Sequence, residues 1–311
     1  MTVRGLFAIS PARPQGGGTS LLRASLTLGI CLWVAAPVAA DPGVRVRLDG
    51  RVRTLPLERY VAGAVAGEVY PDWPPEALKA QAVVARTYAL YERDRNRRAS
   101  HDLESTVISQ RFLAGQVAPR IGAAVAATGG EYLSFANAPI LAVFHSSSGG
   151  RTASSEEVWG EALPYLRSVE SPDDGAPDYF WSYQISRVDL ALALREAGLA
   201  VQEPAAIGPL RRSASGRVAL LEIGGTSLSG RQLRTILGGR ALRSALFEVR
   251  EEGDQVRFLG SGAGHGVGLC QWGSRELALR AQDYRAILEH YYPGARLRRL
   301  GGAAAALGGG E

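Results

Sequence analysis

The chain has 311 residues, a formal net charge of +5 at pH 7, two cysteines and four histidines. Arg4, Arg13 and Arg23 lie in the first 40 residues with no acid among them. Their loss would leave a balance of +2, too mild to support nucleic-acid binding. Beyond residue 40 only Cys270 remains, which excludes an intramolecular disulfide. With only His101, His145, His265 and His290 beside it, a structural zinc site is not expected.

In chain order, the first signal is a leader. The three arginines precede an apolar run from about Ala24 to Val38, which ends at Val38-Ala39-Ala40 before Asp41-Pro42. A basic region, a short apolar region and a small-residue end predict a secretory signal peptide over residues 1–40. Cleavage after Ala40 would release the rest across the cytoplasmic membrane without a stable span, the alternative being an uncleaved anchor. Cys31 leaves with the leader, because Ile30 before it does not suit lipid attachment.

Residues 44–54 alternate apolar and basic side chains around Asp49-Gly50, which predicts an entry hairpin. A helix follows from about Leu57, with Leu57, Val61, Ala64, Val65 and Glu68 on one face. Pro74-Pro75-Glu76 opens a second helix running to about Arg97. Its inner face carries Leu78, Gln81, Ala82, Ala85, Tyr88 and Ala89. Lys79, Val83, Arg86 and Leu90 form the neighbouring stripe, so Lys79 and Arg86, two turns apart, can point into one cleft. The apolar run Ile140–Phe144 predicts a buried strand, and Leu190–Leu199 a helix. Residues 217–260 predict short strands with a helix near 229–238, and a last helix is expected from Trp272 to Tyr291. The Ala/Gly-rich tail over 301–311 is expected to be disordered. The sum is a single α+β domain over 41–300, with helices packed on a mixed or antiparallel sheet around a cleft.

Two residues stand out chemically. Glu68 ends an apolar helix face, where burial would raise its pKa and let it donate a proton. A structural pairing with Lys79 or Arg86 is the alternative reading. Lys79 is the sole lysine among 35 basic residues. A compact ammonium kept where arginine is otherwise used points to a site that a planar fork does not suit, chance being the alternative.

The segment Gly67-Glu68-Val69-Tyr70-Pro71-x-Trp73-Pro74-x-Glu76-Ala77-Leu78-Lys79-Ala80-Gln81 through Arg86-Thr87-Tyr88 resembles the signature of the sporulation stage II protein D family, also found in amidase-enhancer proteins. Two further blocks agree, in the family's order. One is Phe144-His145-Ser146-Ser147-Ser148-Gly149-Gly150-Arg151-Thr152, followed by Trp159 and Pro164-Tyr165-Leu166. The other runs from Gly262 through Gly264-His265-Gly266-Val267-Gly268-Leu269-Cys270-Gln271-Trp272-Gly273, followed by Ile287-Leu288-x-His290-Tyr291-Tyr292-Pro293-Gly294.

The resemblance implies lytic cleavage of peptidoglycan glycan strands, particularly strands stripped of peptide stems. Glu68 would be the catalytic acid and Lys79 and Arg86 substrate contacts. Gln110, in the family's Ser/Thr-x-x-Gln element, would line the cleft. From the residues themselves, Ser146, Ser147 and Ser148 read as a glycine-supported loop that hydrogen-bonds sugars, His265 as orienting the site or, alternatively, as a satisfied core histidine, and Gln271 as a further candidate substrate contact. Some members bind zinc through Cys and His after the long helix. Here that segment, His101 to Gln110, holds no cysteine, so no metal and no cofactor are expected. The favoured activity is a lytic transglycosylase, acting in the periplasm, cell wall or extracellular space. The rival is a non-catalytic glycan-binding activator of an N-acetylmuramoyl-L-alanine amidase. A serine hydrolase is disfavoured because no G-x-S-x-G elbow surrounds the serines. A dinucleotide site at Gly264–Gly268 is disfavoured because no strand–turn–helix unit precedes it.

Overall fold

The computed structural model describes residues 42–104, 112–113, 115–177, 179–202 and 205–301. The expected leader, the tail and Gln110 lie outside them. The described residues form one compact unit.

The entry hairpin is present. β1 (Gly43–Leu48) pairs antiparallel with β2 (Arg51–Pro56), and β3 (Leu103–Glu104) adds to β1 in parallel. Asp49 and Gly50 between the strands have φ of 48° and 76°, the left-handed pair that a two-residue turn requires. α1 (Leu57–Glu68) follows directly, and α2 (Pro75–Arg95) begins with proline in its first turn, where the missing N–H costs nothing. Thirteen of the 21 residues of α2 are buried, which makes it the central helix of the domain. Its alanines let neighbours approach on every side. One face packs with α1, β1 and α3 (Pro119–Ala127); another packs with β4 (Glu131–Phe135) and the C-terminal helices.

β5 (Ala138–Pro139) extends the β4 ladder, and β6 (Phe144–His145) and α4 (Ser155–Trp159) come next. A second region holds β7 (Phe180–Ser186), α5 (Arg187–Glu196), β8 (Ile207–Arg212), β9 (Val218–Ile223), β10 (Thr226–Leu228), α6 (Gly230–Leu237), β11 (Phe247–Glu252) and β12 (Gln255–Ser261). It has its own core of Trp181, Leu190, Leu194, Leu221, Phe247 and Phe258, among others. The chain then returns through β13 (Leu269–Cys270), which pairs in parallel with β6, to α7 (Gln271–Leu279), α8 (Tyr284–Tyr291) and β14 (Arg296–Arg299) beside β4.

The α+β single domain is as expected, but among the described residues its strands form five small sheets rather than one. Two elements differ from expectation. The run from Ile140 to Phe144 is buried at Ile140 and Ala142, yet only Phe144 is in a strand. The Val143 N–H turns back to the Leu141 carbonyl at 3.0 Å, and the Val143 carbonyl accepts from Tyr292 Oη at 2.6 Å. The single helix expected over Trp272–Tyr291 is two. Ala281 takes φ 61°, and Asp283 caps α8 by accepting from the Ala286 N–H at 2.8 Å.

Candidate functional site

Glu68 is the last residue of α1. Leu57, Tyr60, Val61, Ala64 and Val65 bury the inner face of that helix, each large apolar side chain contributing about 1.5–3 kcal/mol. This anchors the helix and leaves Glu68 half-buried at its end. Its backbone carbonyl accepts from Gln271 Nε2 at 3.4 Å, so the buried first residue of α7 braces Glu68 from behind. Burial first, then the charges of Tyr88 and Glu68, raise the Tyr60 phenol. That phenol therefore stays neutral beneath the site.

An aromatic group continues from Glu68. Tyr70 is 61% exposed and tilts against Trp73, whose ring meets Trp272 edge-on at 5.2 Å. The Arg275 guanidinium lies 5.4 Å from the Trp272 ring centre. Trp272 is half-buried at the edge of the first core, consistent with a packing residue that also presents a rim.

Lys79 is half-exposed. Its Nζ donates to Glu76 Oε1 at 2.6 Å and lies 5.7 Å from the centre of the Tyr284 ring. Glu76 also accepts from the Tyr284 N–H at 2.9 Å, so the lysine is held at the start of α8. The ion pair of Lys79 is with Glu76 and not with Glu68.

Arg86 is elsewhere. Its side chain is fully buried, donating to both carboxylate oxygens of Glu58 at 2.8 and 2.6 Å and to the Glu131 carbonyl at 2.9 Å. The expectation that it shares an open cleft with Lys79 is therefore corrected. α3 and β4 close over it, and it ties α1 to α2 and to the start of β4.

The serine loop is likewise mostly internal. Ser147 and Ser148 are buried and Ser146 is half-buried. The loop wraps a fully buried carboxylate, Asp173, which accepts from Ser147 Oγ at 2.7 Å, from the amides of Ser148, Gly149 (3.0 Å) and Gly150 (2.8 Å), and from Cys270 Sγ at 3.4 Å. Ser147 and Ser148 are thus spent on Asp173 and His145, correcting their expected role as open sugar contacts. Ser146 acts through its carbonyl, which accepts from the Trp272 N–H at 3.1 Å and fixes the start of α7.

His145 and Ser148 make a pair resembling a base and nucleophile. His145 Nδ1 faces the Val267 carbonyl at 3.1 Å, so that nitrogen carries the proton and Nε2 accepts from Ser148 Oγ at 2.9 Å. Burial, then His265 and Arg217, lower His145 well below its usual range. Ser148 has no exposed surface, which removes it as a nucleophile. His265 is half-buried, its ring 5.5 Å from that of His145 and 5.6 Å from that of Trp159. Its Nδ1 accepts from the Val267 N–H at 3.0 Å, and burial lowers its pKa to about 4.

The Gly-His-Gly segment needs its glycines for close approach. A Cβ on Gly268 (φ 73°) would stand 2.1 Å from the Val143 carbonyl oxygen, and one on Gly266 (φ 84°) 2.4 Å from Arg217 Nη2. Cys270 is buried, and burial followed by Asp173 pushes its thiol up to about 12. His101 is bound to Glu104 at 2.8 Å. Among the described residues, no cluster of three or more His, Cys, Asp and Glu could hold a metal ion, and no helix is long and apolar enough to cross a membrane.

Sequence reasoning missed Glu58, Asp173 as an internal anchor, and Arg217. Neither Asp173 nor Asp102 is placed to act as a second carboxylate: Asp173 is fully buried, and Asp102 is paired with Arg45 at 2.5 Å.

Comparison with known proteins agrees with this architecture. The model of the stage II sporulation protein family matches residues 49–135, which include Glu68, Lys79 and Arg86. A domain of unknown function (DUF8618) matches residues 165–268. The chain is 35% identical to stage II sporulation protein D of Bacillus amyloliquefaciens, over 78% of this chain and 74% of that protein. It is also 35% identical to an uncharacterized protein of Brachyspira hyodysenteriae, over 78% and 67% of the two chains. An amidase enhancer of Bacillus subtilis is 26% identical, over 76% of this chain and 40% of its own length. The chain belongs to the stage II sporulation protein D family.

Proposed function

We propose that the protein acts on the bacterial cell wall as a peptidoglycan lytic transglycosylase with Glu68 as its acid, exported across the cytoplasmic membrane. The observation that carries the reading is the setting of Glu68. A carboxylate at a helix end, half-buried and braced by Gln271, adjoins an aromatic group with an exposed edge at Tyr70. Aromatic faces suit the apolar faces of sugar rings. Family membership and the half-exposed Lys79 on the next helix support it.

In this chemistry Glu68 protonates the glycosidic oxygen as the bond to the anomeric carbon breaks. The resulting carboxylate accepts the proton of the sugar's own 6-hydroxyl, whose oxygen then bonds to the anomeric carbon and closes a 1,6-anhydro ring. The acid is regenerated and no water is consumed, so one carboxyl suffices, whereas hydrolysis calls for two at a defined separation.

A second reading, a non-catalytic activator of a cell-wall amidase that binds glycan through the same surface, is favoured by the similarity to an amidase enhancer. Mass spectrometry of products from purified glycan strands, with and without peptide stems, separates the two. The lytic reading expects 1,6-anhydro ends with the wild type and none with Glu68→Gln. Reducing ends would mean hydrolysis. Binding without cleavage, together with stimulation of an amidase by Glu68→Gln, would establish the activator.

A further inference from the structure

A cavity of about 650 Å³ lies among α4, β9 and α6, away from Glu68 and Lys79, neither of which lines it. Its volume falls in the range of small-molecule sites. The lining is cationic: Arg217, Arg231 and Arg234 face a single acid, Glu157. That acid is already committed, accepting from the Ser215 N–H at 3.1 Å and from Ser215 Oγ at 2.5 Å. His265, which also lines the cavity, stays neutral at pH 7 because burial lowers its pKa to about 4.

Arg217 is the buried cation behind this lining. It is only 5% exposed, and its Nη1 and Nη2 donate to the carbonyls of Arg151 (3.1 Å) and Ser148 (2.9 Å). Its Nε has no hydrogen-bond partner among the described residues. Arg231 and Arg234 are each fixed by a single bond, to the Val158 and Arg243 carbonyls, at 3.1 Å. The rest of each planar fork remains for an acceptor, and carboxylate and phosphate are the acceptors that such forks match in two-point geometry. Trp159, packed on His265, provides an apolar wall.

We infer that this cavity binds a carboxylate-bearing group, with Arg231 and Arg234 holding the carboxylate, the buried charge of Arg217 behind them, and Trp159 covering the apolar part of the ligand. Two wall components carry such a group, the lactyl ether of N-acetylmuramic acid and the terminal carboxylate of a peptide stem. The choice of a wall carboxylate rests on the proposed function; the preference for an oxyanion does not.

Isothermal titration of the processed protein tests this with N-acetylmuramic acid, N-acetyl-D-alanyl-D-alanine and, as the uncharged control, N-acetylglucosamine. At least one of the two acids should bind tenfold or more tightly than N-acetylglucosamine. Arg231→Gln and Arg234→Gln should each weaken it about tenfold, whereas Glu68→Gln should leave it unchanged. Arg231 is exposed, so its variant folds even if others do not. Binding of muramic acid alone assigns the sugar, and binding of the dipeptide alone assigns the stem. Equal binding of the uncharged sugar, no binding of either acid, or wild-type affinity in both arginine variants overturns the site. Loss of glycan cleavage in Glu68→Gln is a separate readout, so the catalytic reading and this site can fail independently.

Discussion

Replacing Arg86 by methionine distinguishes a structural arginine from a substrate contact. Methionine keeps the length of the stem but removes five N–H donors. The Glu131 carbonyl loses its 2.9 Å donor, and the Glu58 carboxylate loses a two-point partner. Removing one member of a buried ion pair costs about 3–5 kcal/mol. The Glu58 side chain is 33% exposed, so water takes up part of its charge. The low end, about 3 kcal/mol, is therefore expected. At about 2–4 °C per kcal/mol for a domain of this size, Tm should fall by about 6–12 °C. Thermal melts followed by circular dichroism would measure it. The pair Glu58→Gln and Arg86→Met should cost less together than the sum of the single changes, because each removes the same interaction. An unchanged Tm combined with lost glycan binding would refute this account and return Arg86 to the ligand surface.

Three further outcomes are expected. Asp173→Asn keeps the shape but loses the charge that five donors converge on, and should destabilise the domain by about 3 kcal/mol or more in denaturant titration; a wild-type midpoint would contradict the loop's dependence on it. Cys270, its thiol raised to about 12, should resist iodoacetamide at pH 8 in the folded protein and react only after unfolding, so rapid alkylation of native protein would contradict its burial. His265 has a folded pKa of about 4 against an ordinary 6.5, and His145 is lowered as well. The unfolded chain therefore takes up protons first, and stability that is complete above pH 6.5 is lost progressively toward pH 4, by at most about 3 kcal/mol for His265. Tm measured across that window should fall in the wild type and fall less in His265→Gln.

What was legible in the sequence was what short-range chemistry controls. Asp49-Gly50 specifies a turn, Pro75 opens a helix, and the spacing from Leu57 to Val65 sets the buried face of α1, which places Glu68 at its end. What was not legible depends on which distant segment covers a given face. Lys79 and Arg86 are seven residues apart and share an azimuth on α2. α3 and β4 nevertheless cover one of them and leave the other half-exposed, and neither element is encoded near residue 86. The break between α7 and α8 carried a local signal, Asp283 as a cap, that the continuing apolar periodicity overrode. The serines beside His145 looked like ligand contacts because small polar residues and glycines serve open loops and buried anion nests equally well. The buried carboxylate that decides between these uses lies 25 residues beyond Ser148.

The two motif blocks around residues 145–152 and 262–273 are best understood together, as the support of Glu68 rather than as a second set of reactive groups. Asp173 gathers the serine loop and touches Cys270, the residue that caps α7 by accepting from the Gly273 N–H at 3.4 Å. Ser146 holds the Trp272 N–H, and the next residue back, Gln271, reaches the carbonyl of Glu68. A buried carboxylate is thus linked to the proposed acid through the first turn of one helix. A chemical group that must stand within a fraction of an ångström of a scissile bond needs such a frame. On that account the serine and glycine motifs are maintained by packing, and the proposed catalysis would depend on them through position alone.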